Sequence, residues 1–339
     1  MNVCIVGAGA IGGWLAAQLG EHLGEHLGEH EGGGLRLSAY ARGATLQALR
    51  TQGLRIERSD GRRTVLPIHA SNAPAELGPQ DLVIVAVKAP ALAAVAPAVR
   101  AMLGPHTRVL VAMNGVPWWF FDGLPVEAGS SQRLRLESVD PGGHIAGLIP
   151  VERVIGCVVH ASCTSPQPGL VRHLMGQGLI LGDPAGGRPD HIVELAALLG
   201  RAGFEATVSE RIQRDIWFKL WGNMTLNPIS ALTGATCDRI LDDELVRGFV
   251  SQVMLEAAAI GARIGCRIDQ TPEQRHAVTR KLGAFKTSML QDVEAGRTIE
   301  LDALLGSVRE IGRHLQIATP FTDALLGLTR LMARTRGLL

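Results

Sequence analysis

A chain of 339 residues, at roughly 150 residues per domain, holds about two domains and can bury sizeable cores. Its 33 basic and 32 acidic residues leave a formal net charge of +1, so no global field draws nucleic acid or an anionic membrane, and a small-molecule partner is the simpler expectation. Hydrophobic residues make up 46% of the chain, yet apolar runs such as Leu82 to Val87 fall far short of the ~20 residues of a membrane span. The reading is a soluble protein. With no signal peptide legible before the first strand, it is a cytoplasmic one.

The first half alternates apolar runs with helical patterns, as a parallel sheet covered on both faces does. Strands are expected at Val3–Val6, Leu35–Tyr40, Asp81–Val87 and Arg108–Ala112, then at Val154–Val159, Leu170–His173 and Leu179–Leu181, with Phe204–Val208 closing the sheet. The first strand runs into Gly7-Ala8-Gly9-Ala10-Ile11-Gly12 and then into a helical pattern from Trp14 to Leu19. In that context the motif reads as a dinucleotide site: Gly7 for the tight turn, Gly9 for backbone approach to a pyrophosphate, Gly12 for close helix packing.

Between Gly20 and Gly34 the chain repeats Glu-His-Leu-Gly, and His22 to His26 fits the H-x-x-E-H zinc pattern. Glycine at every fourth residue weakens the helix such a site needs, so the reading is a tandem duplication at a surface helix end, with no metal.

The second strand is followed by Arg42, where an NAD site usually carries an acid, and Leu35 to Arg42 holds no carboxylate. A guanidinium suits a 2′-phosphate, which favours NADP. Lys88 and Asn114 follow the third and fourth strands. Carboxyl ends of such strands meet ligands, so both are placed to meet the nicotinamide half or the substrate.

From about Glu210 the texture becomes helical, with about six helices expected and helix starts at Thr271-Pro272 and Thr319-Pro320. The fold class is α/β: an N-terminal Rossmann dinucleotide-binding domain over residues 1–208, then a mostly α-helical domain over 209–339. In Ile216 to Pro228, Lys219, Asn223 and Asn227 fall at i, i+4 and i+8 on one face, among Trp217, Leu220, Trp221, Met224 and Leu226. They would line a partly dry pocket, and Pro228 should kink or end the helix. A ketone reductase needs a proton donor at the carbonyl oxygen, and a lysine in such a pocket can serve.

The sequence resembles the ketopantoate reductase family through nearly the whole chain: in the glycine motif, Val87-Lys88-Ala89, Asn114-Gly115-Val116, Trp217-Phe218-Lys219-Leu220 with Asn223 and Asn227-Pro228, Ser288-Met289-Leu290-Gln291-Asp292, and Thr298-Ile299-Glu300-Leu301-Asp302. That resemblance implies NADPH-dependent reduction of 2-dehydropantoate to pantoate. It makes Lys219 the general acid and Glu300 its support near the nicotinamide. Asn223, Asn227 and Ser288 become substrate contacts, and Arg42, Lys88 and Asn114 cofactor contacts. His160 matches a pocket position or is a satisfied strand-end histidine.

Members of the family commonly continue Gly-Asn after Asn114-Gly115-Val116, whereas this chain reads Pro117-Trp118-Trp119-Phe120-Phe121, then an insertion over about Asp122 to Pro150. Either a hydrophobic plug or a reshaped pocket follows. A branch reducing a bulkier 2-oxo acid or ketone, and a non-catalytic NADPH-binding sensor, are the competing readings; retention of Lys219 and Glu300 argues against the second. A homodimer stays open. The five cysteines, without C-x-x-C spacing, read as reduced core residues.

Overall fold

The computed structural model describes residues 1–24, 34–124 and 134–339. Most of the Glu-His-Leu-Gly repeat, including Glu25 and His26 of the zinc-like pattern, and part of the insertion lie outside the described residues. The chain divides into two compact units, one of Met1–Val87, Ala91–Met113 and His144–Ile212, the other of Lys88–Pro90, Asn114–Gly143 and Gln213–Leu339. Segments 88–90 and 114–143 thus belong with the late chain, although a boundary at 208 assigns them to the first domain. Bonds such as Val116 N–H to Ala303 O at 2.9 Å tie them there.

The first unit is built on one sheet of ten strands: β1 Asn2–Val6, β2 Arg36–Tyr40, β3 Leu54–Glu57, β4 Arg63–Leu66, β5 His69–Ser71, β6 Gln80–Val85, β7 Leu103–Val111, β8 Val154–Gln167, β9 Leu170–Gly182 and β10 Glu205–Val208. Its helices are α1 Ala10–Leu23, α2 Gly43–Gln52, α3 Pro74–Leu77, α4 Leu92–Ala101, α5 His144–Leu148 and α6 Asp190–Arg201. The order is β4-β3-β9-β8-β7-β6-β1-β2-β5, with β10 alongside β9. From β8 to β5 every pair is parallel, which explains the unbroken apolar run of Val3 to Val6: β1 lies between β2 and β6 and is buried on both faces.

Three expectations change here. Leu170–His173 and Leu179–Leu181 are parts of one strand, because the intervening glycines, Gly176 at φ +77° among them, sit in an irregular antiparallel pairing with β8 instead of a turn. Glu205–Val208 does not close the sheet; it pairs with β9 at Gly178 to Leu181, beside a strand already in the interior of the order. His160 is exposed in mid-strand, since β8 continues to Gln167. The strands β3, β4 and β5 were not expected, being only three or four residues long.

The second unit contains α7 Ile212–Thr233, α8 Cys237–Asp242, α9 Glu244–Arg263, α10 Pro272–Arg280, α11 Ser288–Glu294, a π-helical turn Asp302–Gly306 leading into α12 Ser307–His314, and α13 Pro320–Thr335; Ile212 itself belongs to the first unit. Thr271 caps α10 through a reciprocal box with Gln274. Pro320 opens α13.

Pro228 does not end α7, which continues to Thr233. The neighbours Met224, Asn227, Ile229, Ser230 and Ala231 are buried, and that packing holds the helix across the lost backbone bond. Helix α9 is long and apolar enough to cross a membrane by length and composition alone. Its Val250, Val253, Met254, Ala257 and Ile260 are nonetheless buried within the unit.

Candidate active site

The rotation of α7 is fixed by two indoles. Trp217 Nε1 donates to Ala257 O at 3.2 Å and Trp221 Nε1 to Met254 O at 2.7 Å. Both anchor α7 to α9, and at 100° per residue they lie opposite Lys219 and Asn223. Lys219 and Asn223 are half-buried and Asn227 is buried, so the predicted polar face is present and partly dry.

Lys219 Nζ donates to Asn114 Oδ1 at 2.9 Å. The side chain of Asn114 also hydrogen-bonds Glu300, so one amide joins the amine to the carboxyl. Asn114 reaches this place through its neighbour. Gly115 has φ +82°, and a Cβ there would lie 2.6 Å from Ala303 O. Only glycine lets the loop press so close to the π-helical turn that follows Glu300.

Glu300 Oε1 accepts from Ala89 N–H at 3.1 Å. Burial pushes its carboxyl above the usual carboxylate range and the Asp292 charge adds to that, against the lowering by Ala89 N–H, Lys88 and Asn114. Lys88 Nζ meets Asp292 Oδ1 at 2.7 Å and donates to Thr298 O at 2.9 Å. Lys88 is thus an ion-pair partner inside the second unit. Asp292, which also pairs with Arg297 at 3.2 Å, had no role read from the sequence; its partner Lys88 is some two hundred positions away, beyond any spacing argument.

Lys88, Asn114, Lys219 and Glu300 therefore come together. Among the described residues, Asn223, Asn227 and Ser288 make no side-chain hydrogen bond, and Ser288 is exposed on the first turn of α11. Their polar groups are open to a ligand. A separate cavity of 520 Å³, lined by Ser138, Arg313, Arg330 and others, contains none of the predicted site residues.

In the first unit, Gly7 adopts φ +95°, and a Cβ on Gly12 would lie 2.1 Å from Gly7 O, so the turn and α1 pack as the motif requires. Gly9 is the N-cap of α1 without a side-chain cap, and the space its Cβ would take is open. The free N–H groups of that first turn, near Ala8, Ala10 and Ile11, form an anion cradle that fits a pyrophosphate. Arg42 is the exposed N-cap of α2, two residues beyond β2, and no described carboxylate pairs with it. That position fits a 2′-phosphate.

The aromatic run is largely inside the second unit. Trp118, Trp119 and Phe120 are buried, with Phe120 5.9 Å from Trp217 between ring centres. The cysteines behave as core residues: burial pushes Cys4 and Cys237 up to about 11 and Cys163 to about 12, and Cys157 and Cys266 are buried.

A Rossmann-type sheet with a glycine turn, together with a lysine–amide–carboxyl cluster on a helical unit, defines an oxidoreductase of the dinucleotide-dependent kind. The model of the family described as ketopantoate reductase PanE/ApbA matches residues 3–118, and that of its C-terminal domain matches residues 211–333. A 2-dehydropantoate 2-reductase of Mesorhizobium japonicum is 43% identical over 337 residues, 99% of each chain. A solved structure from Ralstonia solanacearum, provisionally named a ketopantoate reductase, is 57% identical with TM-score 0.91, covering 100% of this chain and 99% of its own. The 2-dehydropantoate 2-reductase of Geobacter metallireducens is 26% identical with TM-score 0.82, covering 98% of this chain and 100% of its own. The chain belongs to the ketopantoate reductase family.

Proposed function

We propose that this chain reduces the keto group of 2-dehydropantoate to give pantoate, with NADPH as reductant, in the cytoplasm. The observation that carries the reading is the 2.9 Å bond from Lys219 Nζ to Asn114 Oδ1, with Asn114 bonded in turn to the buried Glu300. When bound, NADPH supplies the hydride.

Lys219, aimed by its bond to Asn114, gives a proton to the carbonyl oxygen as that oxygen gains the electron pair of the C=O bond. Asn114 aims the amine and couples it to Glu300. Glu300, raised by burial, is poised to exchange a proton when Lys219 is recharged. Asn223, Asn227 and Ser288 take the hydroxyl and carboxylate of the substrate. Gly7 to Gly12 hold the pyrophosphate and Arg42 the 2′-phosphate. The domains we propose are 1–208 for the cofactor and 209–339 for the substrate, with the 88–90 and 114–143 segments contributing to the latter.

Burial of Trp118 and Trp119 supports the plug over a pocket reshaped for bulkier acids. The test is NADPH oxidation by purified protein across a set of 2-oxo acids. Fastest kcat/KM with 2-dehydropantoate is expected. A preference for an aryl 2-oxo acid would move the chain to another branch, and no turnover with any would support a sensor.

A further inference from the structure

The cavity of 520 Å³ in the second unit has no part in the proposed mechanism. Its volume lies within the roughly 300–1,000 Å³ of small-molecule sites. Gly306, Arg309, Glu310 and Arg313 line it and fall three and four residues apart, so they share one face at α12. Leu326 and Arg330, four apart on α13, form a second wall. Ser138 adds a third, from the insertion that sets this chain apart.

Two of the charged side chains are spent on the fold. Arg309 Nε pairs with Asp323 at 2.9 Å. Both oxygens of Glu310 accept backbone bonds, Oε1 from Glu137 N–H at 2.8 Å and Oε2 from Ser138 N–H at 2.9 Å. Arg313 and Arg330 differ: among the described residues neither guanidinium meets a carboxylate or carbonyl oxygen. Of the lining carboxylates, exposed Asp302 is left to accept from a ligand.

Paired guanidinia match the oxygens of a phosphate, and a carboxylate beside them accepts from a hydroxyl. We infer that this cavity is a second ligand site, which takes a small hydroxylated phosphate monoester. Arg313 and Arg330 hold the phosphate, Asp302 accepts from a hydroxyl, and Leu326 meets the carbon chain. The occupant bears on the loop that carries Asn114. Asp302 and Gly306 are the two ends of the π-helical turn, and within it Ala303 O accepts from Val116 N–H at 2.9 Å. A ligand on Asp302 therefore steadies the turn against which Gly115 presses. That this reaches catalysis rests on the function proposed above; the binding itself does not.

The test is calorimetric titration of glycerol 3-phosphate into NADPH-loaded protein, whose proposed phosphate sites in the first unit are filled, with ionic strength held constant by potassium chloride. Wild type should bind one equivalent saturably. Arg313→Gln and Arg330→Gln should each weaken that binding about 10- to 100-fold and leave kcat and KM without the ester unchanged; thermal unfolding checks that both variants fold. No saturable binding to wild type, or equal binding by wild type and both variants, would overturn the inference. So would tighter binding of malate, which offers carboxylates in place of phosphate. Hydrogen exchange at the Val116 amide reads the coupling without turnover. The ester should slow it in wild type and not in the variants, and an unchanged rate at saturation would remove the link to Asn114. If wild type reduces no 2-oxo acid, the proposed function falls and the titration still decides the site.

Discussion

Asn114 and Lys219 meet through a 2.9 Å bond from the ammonium to the amide oxygen, although they stand 105 positions apart in the chain. The same amide bonds Glu300, so three residues from three segments act as one unit. An amide can do this because it accepts on one side and donates on the other.

Replacing Asn114 by alanine should therefore leave both charged neighbours unsupported. We expect kcat to fall about 10- to 100-fold, the size of one or two lost charge-assisted bonds. Steady-state kinetics with the folded variant, checked by circular dichroism, measures it. An unchanged kcat with a raised KM would make Asn114 a ground-state contact only.

Glu300 links the site to stability. Burial raises its carboxyl, so over a pH window above the ordinary carboxylate value, about 4.3, the folded protein keeps a proton the unfolded chain has lost. Stability then falls as pH rises through that window. Glu300→Gln, which can still accept from Ala89 N–H, should lose activity and match wild type at low pH, but resist urea better above the window. A stability difference independent of pH would show that Glu300 carries no such cost.

The function proposed above rests the cofactor preference on Arg42, the exposed N-cap of α2. Arg42→Ala should weaken NADPH binding by on the order of 1.5–3 kcal/mol and NADH binding little, narrowing the gap between them. Fluorescence titration of both cofactors decides it. Equal affinities in the unaltered protein would sink the assignment.

How much of this was legible in the sequence follows from the range of each interaction. The glycine turn, the parallel strands and the single polar face of α7 arise from local patterns with periods of 2 and 3.6 residues, and these were readable. Of the two outcomes expected at Pro228, the end of the helix does not occur, because tertiary packing at Met224, Ile229 and Ser230 carries α7 on to Thr233. The strands β3 to β5, three or four residues each, are too short to show a period. The ion pair of Lys88 with Asp292 and the pressing of Gly115 on Ala303 are long-range contacts, and no spacing announces them.

The central claim is that Lys219 delivers the proton. The measurement is a pH profile of kcat for wild type and Lys219→Ala, beside direct NADPH titration. General acid help typically contributes ~10²–10⁴-fold, so the variant should lose about that factor in kcat while its NADPH affinity, to which the proposed reading gives the glycine turn and Arg42 the main part, holds. The donor must be protonated, so the wild-type rate should fall as pH rises through the amine's pKa, and that descending limb should be missing from the variant. A variant with near-normal kcat and the same limb would contradict the account, because another group would then be supplying the proton.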